Sequence, residues 1–545
     1  MKPDRYVMAG IAVILVVSMA VVFDGDDFVD ETGIVYGVEQ SSNGFVFDLL
    51  TEDGVLRCYS ALRPFESGYY GVRGASSSDG SIFFVEELVR LDRDGLSELV
   101  HGHDTMYVAV DDTDSMKGNC TTFLATEIID EFQDLDLIGN PRLVRLNPAS
   151  PWKTRGNGAL VMRFGYGLGE KRFIGKIGGR KIFCYDRCGS REPDAEDMKI
   201  RIIPLMERYH EEESDPGLLI SKSKPSQSFY WSGVRTILDR SFVDPEIERI
   251  GGTTYEIGCG RGLIGCTCAM AWRPRDTTFE LLSYRPSGRW GTERIFDPSS
   301  IRDMDHAFPS TFNSWEDRFN KVAMVPSTPC PVMYGLRGDS ERDLIEASSR
   351  IRTEPIERWM VFLTNQGTDD HIIHHPTVLV PNQSYSIRGT VSSHTRHIEG
   401  GHVIIDLDTS FGTIQCAAYE PSKEFRYTVE WLSPGDVVEM IGELRDVPRT
   451  LNIEKIHLIS TVREMIKVSN PVCPLCSRTM KSSGSGQPYR CKRCGTRSYD
   501  PVLREEPRRI VPGWYEPPTA ARRHLSKPLK RMGLIQPVEF VNGRI

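Results

Sequence analysis

Cys473-x-x-Cys476 and Cys491-x-x-Cys494 stand fourteen residues apart near the C-terminal end of the chain. Two such knuckles bring four thiolates to one tetrahedral ion, and thiolate sets of this kind select Zn²⁺. The intervening loop carries Gly484, Gly486 and Pro488, turn residues that fit a zinc ribbon over residues 470–500. A redox pair is the competing reading of a lone Cys-x-x-Cys, and the second knuckle argues against it. Arg478, Lys481, Arg490, Lys492 and Arg493 surround the cysteines, a charge pattern suited to an RNA backbone. The other nine of the thirteen cysteines lack disulfide-like spacing, as in a reducing compartment.

With 545 residues the chain has room for three or more domains. Its formal net charge of −9 hides an asymmetry. Residues 1–105 hold 7 Lys and Arg against 18 Asp and Glu, whereas residues 461–545 hold 17 against 6. The basic end points to a polyanionic partner, or to no more than a solvated tail over 501–545. At the other end, residues 1–30 contain a 17-residue apolar run, Val7 to Phe23, behind Lys2 and Arg5. This length is at the lower limit for a membrane-spanning helix and also fits a signal-peptide core. Residues 31–92 alternate apolar and polar residues between Gly and Ser turns, which predicts a small, acidic, OB-like β-barrel. Residues 93–105 are polar and read as a linker.

From Met106 the pattern becomes α/β. The strand Tyr107 to Val110 runs into Asp111, Asp112 and Asp114, followed by Cys120, Thr121 and Thr122 at the start of a helix. Carboxylates clustered at a strand end are costly without a cation, so this stretch is the candidate Mg²⁺ and phosphate site. Pro151-Trp-Lys-Thr-Arg-Gly-Asn-Gly158 offers Lys153 and Arg155 to phosphate, with Gly156, Asn157 and Gly158 permitting close backbone approach. Arg142 and Arg145 precede it and could serve the same purpose. Gly260-x-Gly262-x-x-Gly265, after Glu256-Ile-Gly258, matches a dinucleotide fingerprint and the first motif of S-adenosylmethionine methyltransferases. Against that reading, the next strand, Phe279 to Tyr284, ends without an acidic residue and no βαβαβ series surrounds it. A tight turn against a ligand or another strand is the alternative. A helix pattern over 340–363 ends at Trp359 and Phe362, and the polar run Thr364 to His371 could read a base edge or bind an amine. Residues 385–460 hold five short strands that suit an OB barrel, a fold whose face commonly takes single-stranded nucleic acid.

Together these motifs resemble a known family. Val110-Asp-Asp-Thr-Asp-Ser, Cys120-Thr-Thr, Pro141-Arg-Leu-Val-Arg-Leu-Asn-Pro148 and Pro151 to Gly158 are similar to archaeal TiaS, the tRNA(Ile) 2-agmatinylcytidine synthetases. Asp215-Pro-Gly217, Pro331 to Gly335 with Arg337-Gly338, and Thr364 to Asp369 extend the likeness over roughly residues 106–510. The resemblance implies a multidomain α+β protein. An ATP-binding, kinase-like α/β domain would span 106–200, and a ferredoxin-like and further α/β catalytic region 201–380. The OB fold and zinc ribbon follow, with the hydrophobic helix and small β-barrel as N-terminal additions. It also implies the reaction. ATP, with Mg²⁺, phosphorylates the wobble cytidine of the isoleucine tRNA with a CAU anticodon, and agmatine displaces the phosphate to give agmatidine. Asp111, Asp112 and Asp114 would hold Mg²⁺, and Thr121 or its neighbour Thr122 would be autophosphorylated. Asp215 and Asp369 are the candidates for pairing with the agmatine guanidinium, and Zn²⁺ would be structural. The competing classes are an S-adenosylmethionine-dependent tRNA methyltransferase and a non-catalytic OB and ribbon RNA binder. The catalytic part is expected in the cytoplasm, beginning at Met106. Residues 1–105 are then either a fused, membrane-tethered β-domain in contact with lipid through residues 7–23, or a second reading frame joined in the gene.

Overall fold

The computed structural model describes residues 29–41, 44–51, 54–60, 63–64, 69–76, 83–90, 105–154 and 156–537. The apolar run 7–23, most of the linker 93–105 and Arg155 lie outside the described residues. Among the described residues no helix is long and apolar enough to cross a membrane.

Five strands, Val29–Ser41, Gly44–Thr51, Gly54–Ser60, Tyr69–Ser76 and Phe83–Arg90, close into a barrel. Their order is first, second, third, fifth, fourth, and the third and fifth run parallel, Cys58 opposite Phe83. Val35, Phe47, Leu49, Cys58 and Val72 fill the interior, the inward half of the alternating pattern.

The described residues divide into two compact units. The first runs to Ser386 and adds Gly442–Pro448 and Pro518–Gly533. It is built on a twelve-stranded sheet, in the order Thr253–Glu256, Gly217–Ser221, Met106–Asp111, Gly158–Gly165, Asp136–Ile138, Arg180–Cys188, Gly167–Ile177, Arg358–Thr364, Thr278–Tyr284, Val332–Gly338, Thr311–Phe312. Arg142–Arg145 bridges Gly158–Gly165 and Arg358–Thr364. The strand Met106–Asp111 lies between two antiparallel neighbours and is covered on both faces. Val108 and Val110 join a core with Phe123, Leu124, Ile128, Met198 and Ile202, from helices Thr121–Glu131 and Ala195–Arg208. Tyr107 and Ala109 point the other way, to helices Gln227–Arg235, Arg240–Arg249 and Gly262–Met270. Two covered faces explain why the strand reads as an unbroken apolar run.

Three expectations change here. Trp359 and Phe362 sit on the strand Arg358–Thr364, and the helix before it is Glu341–Ser348. A short, wholly buried strand has no period of its own to separate it from a buried helix. The apolar spacing of residues 228–241 reads as one helix, but the chain there forms two, Gln227–Arg235 and Arg240–Arg249. The basic tail is not all tail, because Pro518–Gly533 belongs to the first unit and buries Leu525 and Leu529.

The second unit carries the strands Gln383–Val391, His402–Thr409, Gly412–Ala418, Val437–Arg445 and Thr450–Ser460. Val391 pairs with Leu407, and Cys416 runs parallel to Leu451. This is the strand order of the N-terminal barrel again, the OB topology. The cysteine knuckles follow on short hairpins, with Lys481 bridged to Arg490 and Tyr489 to Ser498.

Candidate functional site

The end of the strand Met106–Asp111 opens into a cavity of about 710 Å³ within the first unit. Asp111, Asp112, Asp114, Thr121 and Thr122 line it, and so do Lys153, Gly156, Asn157 and Gly158. The topology makes this meeting. Residues 153–158 lead directly into the strand Gly158–Gly165, which pairs with the aspartate strand through Leu160 and Val110.

The carboxylates crowd one another. Burial pushes the Asp111 carboxyl well above its ordinary value, and the neighbouring Asp112 adds to this. Asp112 is pushed up to about 6 by burial, against the opposing pull of the Arg261 guanidinium. Asp112 also sits at φ +56°, a left-handed conformation unusual outside glycine. Asp114 accepts a hydrogen bond from Thr154 Oγ1 at 3.1 Å, which ties the aspartate loop to the loop that enters the strand Gly158–Gly165. Hard carboxylate oxygens raised in this way fit a Mg²⁺ ion, whose charge would relieve their repulsion. Thr121 opens its helix, is 5 % exposed and receives a hydrogen bond from Thr113 Oγ1 at 3.1 Å. Thr122 lies 3.0 Å from Cys120 Sγ.

Positive charge faces the carboxylates from other strands. Arg145 and Arg337 both line the cavity and share the buried carboxylate of Glu280, at 3.6 Å and 3.0 Å. Arg145 also donates to the Gly156 carbonyl at 3.1 Å. Lys153 is exposed and donates to the Pro148 carbonyl. Trp152 stands half exposed on the rim with the Arg261 guanidinium 5.0 Å from its ring centre.

The glycine run contributes packing. A Cβ on Gly265 would fall 1.7 Å from Asp111 Oδ2, and one on Gly262 would fall 2.4 Å from the backbone nitrogen of Gly217. These glycines therefore let the helix Gly262–Met270 press against the aspartate strand and its neighbour, and the fingerprint reading has no further basis.

Asp215 and Asp369 do not line the cavity. Asp215 accepts from the Cys259 N–H at 3.0 Å and pairs with Arg261 at 2.9 Å. Burial would raise its carboxyl, but these partners outweigh it and hold it below the usual value. Asp369 accepts from the Lys527 N–H at 2.7 Å. In the polar run around it, Asn365 accepts from the Arg145 N–H at 2.7 Å and donates to the Arg145 carbonyl at 2.9 Å.

In the second unit the four sulfurs lie within 4.8 Å of one another. Cys473 and Cys494 are 3.4 Å apart, and Cys476 and Cys491 are 3.3 Å apart. A tetrahedral Zn²⁺ with Zn–S of about 2.3 Å needs sulfurs slightly wider than this, so the set fits the ion.

Carboxylates opposite guanidiniums in one cavity, on a chain that also carries an OB barrel and a zinc ribbon, define a phosphoryl-transfer enzyme that handles nucleic acid. Family models agree in detail. The TiaS TCKD domain matches residues 107–259, the TiaS FLD domain 260–371, an OB-fold nucleic acid binding domain 385–459, and the TiaS C-terminal zinc ribbon domain 470–510. The break between the first two falls inside the glycine run, at residues 259–260. TiaS of Archaeoglobus fulgidus, a 2-agmatinylcytidine synthetase for an isoleucine tRNA, is 38 % identical over 439 residues, covering 79 % of this chain and 98 % of that one. The Methanocaldococcus jannaschii enzyme of the same name is 35 % identical over 445 residues, covering 79 % and 99 %. A crystal structure of TiaS in complex with its isoleucine tRNA and ATP superposes with a TM-score of 0.69 at 36 % identity, covering 79 % of this chain and 98 % of that one. One of TiaS with the same tRNA, AMPCPP and agmatine gives 0.66 at 33 %, with the same coverage. The chain belongs to the TiaS family.

Proposed function

We infer that this chain joins agmatine to the wobble cytidine of an isoleucine tRNA, at the expense of ATP, to form 2-agmatinylcytidine. The observation that carries the reading is the meeting of residues 111–122 with residues 153–158 around one cavity, in a chain that spans nearly the whole of its relatives. We read the matched regions as a kinase-like domain followed by a ferredoxin-like one, and the tRNA as the CAU-anticodon isoleucine species.

The chemistry has two steps. A cytosine carbonyl oxygen is a poor leaving group, so it is first phosphorylated. Agmatine's primary amine then attacks the ring carbon, the C–N bond forms, the C–O bond breaks and phosphate departs. Phosphoryl transfer needs placement and charge compensation more than covalent machinery. Arg145, Arg337 and Lys153 offset phosphate charge, and Gly156 to Gly158 let backbone come close. Asp111, Asp112 and Asp114 would hold Mg²⁺, which neutralises developing charge on the transferred group. Thr121, buried beside Thr113 at a helix start, is our candidate phosphate carrier, with Thr122 beside it. Arg155, between Thr154 and Gly156 in the sequence, is proposed as a further phosphate contact. Asp215 and Asp369 stay as the proposed guanidinium partners only if their present bonds open on binding.

Incubation with the CAU-anticodon isoleucine tRNA, ATP and labelled agmatine should place the label in tRNA, with dependence on Mg²⁺. Label entering instead from S-adenosylmethionine, or from neither, would overturn the reading. Disrupting Cys473 or Cys491 should weaken tRNA binding by about tenfold or more while changing ATP turnover less, since thiolate sites of this kind supply folding energy to their own module. Unchanged tRNA affinity in a filter-binding assay would leave the ribbon a purely structural part.

A further inference from the structure

Residues 511–537 lie beyond every matched family region, yet two of them, Ala520 and His524, reach the cavity. The segment Pro518–Gly533 is fastened to the polar run 364–371. The Gly367 N–H donates to the His524 carbonyl at 2.8 Å and the Asp369 N–H to the Leu525 carbonyl at 2.9 Å. His524 then lines the cavity wall.

A chain of buried polar groups orients its ring. The Glu280 carboxylate, 2 % exposed at its side chain, lies between the Arg337 and Arg145 guanidiniums. It accepts a hydrogen bond from Gln366 Nε2. That fixes the amide, so Gln366 Oε1 is the atom facing His524 Nδ1 at 3.0 Å. A carbonyl oxygen only accepts, so Nδ1 must carry the ring proton and Nε2 keeps its lone pair. Nε2 lies on the side of the phosphate loop: a Cβ on Gly156 would meet it at 2.7 Å. Burial, then Arg145, Arg337 and Lys153, hold the ring well below its ordinary titration range, so it is neutral until an anion enters.

We propose that His524 is a proton-transfer residue of the amine step, with Gln366 and Glu280 as its positioning residues. This rests on the agmatine reading above. As agmatine nitrogen bonds to the ring carbon and the C–O bond breaks, one N–H proton passes to His524 Nε2. The departing phosphate then takes that proton, so the residue ends as it began and no further reactant is needed. Arg145, Arg337 and Lys153, which disfavour the protonated ring, are offset by the phosphate charge at the moment the proton is carried.

Rapid-quench single turnover separates the steps. With γ-labelled ATP and no agmatine, His524→Ala should phosphorylate tRNA within a few-fold of the wild-type rate. On adding agmatine, it should consume that phosphate about a hundredfold more slowly or worse, the usual scale of a lost acid–base group. Added imidazole should restore part of the rate, and Gln366→Leu should lower the same step less. An unchanged amine step, or equal loss of both steps without imidazole rescue, overturns the proposal. If wild-type protein itself forms neither phosphorylated tRNA nor agmatidine, the parent reading has failed instead. Should His524→Ala not fold, ¹⁵N-imidazole NMR of the wild-type protein decides: Nδ1–H with bare Nε2 supports the role, and the opposite tautomer overturns it.

Discussion

Asp112→Ala and Thr121→Ala should each abolish agmatidine formation, by on the order of 10³-fold or more, while tRNA affinity should stay within about twofold. Both residues line the cavity in the first unit, whereas the OB barrel and zinc ribbon belong to the second. For Asp112 the argument is electrostatic. Its carboxyl is pushed up to about 6 because burial and the neighbouring carboxylates make its charge costly. A bound Mg²⁺ would relieve that cost further than Arg261 does, and the proton is its competitor. The Mg²⁺ concentration for half-maximal rate should therefore rise as pH falls through about 6. For Thr121 the argument is position: a buried hydroxyl at a helix start, hydrogen-bonded to Thr113 and opening on the cavity. Labelled-agmatine incorporation and filter binding on the same preparations check both halves. Intact incorporation in either variant removes the role given to that residue.

How much of this could be read in advance depended on whether a residue's partners were near in sequence. The aspartate strand, the threonine helix and the cysteine knuckles each declare themselves within about twenty residues. Both OB barrels were visible as alternation between turns. His524 was not. The segment around it looked like a solvated basic tail, because its counter-charges are far away. Arg531 pairs with Asp276 at 2.8 Å and Asp339 at 2.7 Å, and Lys527 pairs with Asp276 at 2.7 Å. Those charges close the catalytic unit, so the basic excess at this end is smaller for a polyanion than composition implies. Asp215 and Asp369 meet the same limit. Each is a carboxylate of the right chemistry inside a matching motif, but its oxygens are engaged by neighbours that spacing does not reveal. Nothing in a sequence distinguishes a carboxylate waiting for a guanidinium ligand from one already holding an arginine or a backbone N–H.

The glycine run gives the sharpest test, because propensity and packing predict opposite signs. Alanine in place of a helical glycine should stabilise by about 1 kcal/mol. Gly265 lies inside the helix Gly262–Met270, yet Gly265→Ala should destabilise by about 1–3 kcal/mol or more and remove activity. Its new methyl would sit 1.7 Å from Asp111 Oδ2. Asp111 cannot withdraw, since it ends a central strand hydrogen-bonded on both sides, with Gly217 as its cross-strand partner. The helix cannot withdraw either, since Gly262 already abuts the Gly217 backbone. Either movement shifts a carboxylate of the proposed metal site, so activity should fall further than the melting temperature alone explains. Gly288→Ala is the control: its Cβ meets nothing within 4 Å and its backbone is not left-handed, so both readouts should be unchanged. A methyltransferase fingerprint would also lose function on Gly265→Ala, but through lost cofactor binding in a protein of normal stability. A stable Gly265→Ala protein with full agmatidine synthesis would show that the helix is free to move away from Asp111, and the packing account of these glycines would fall.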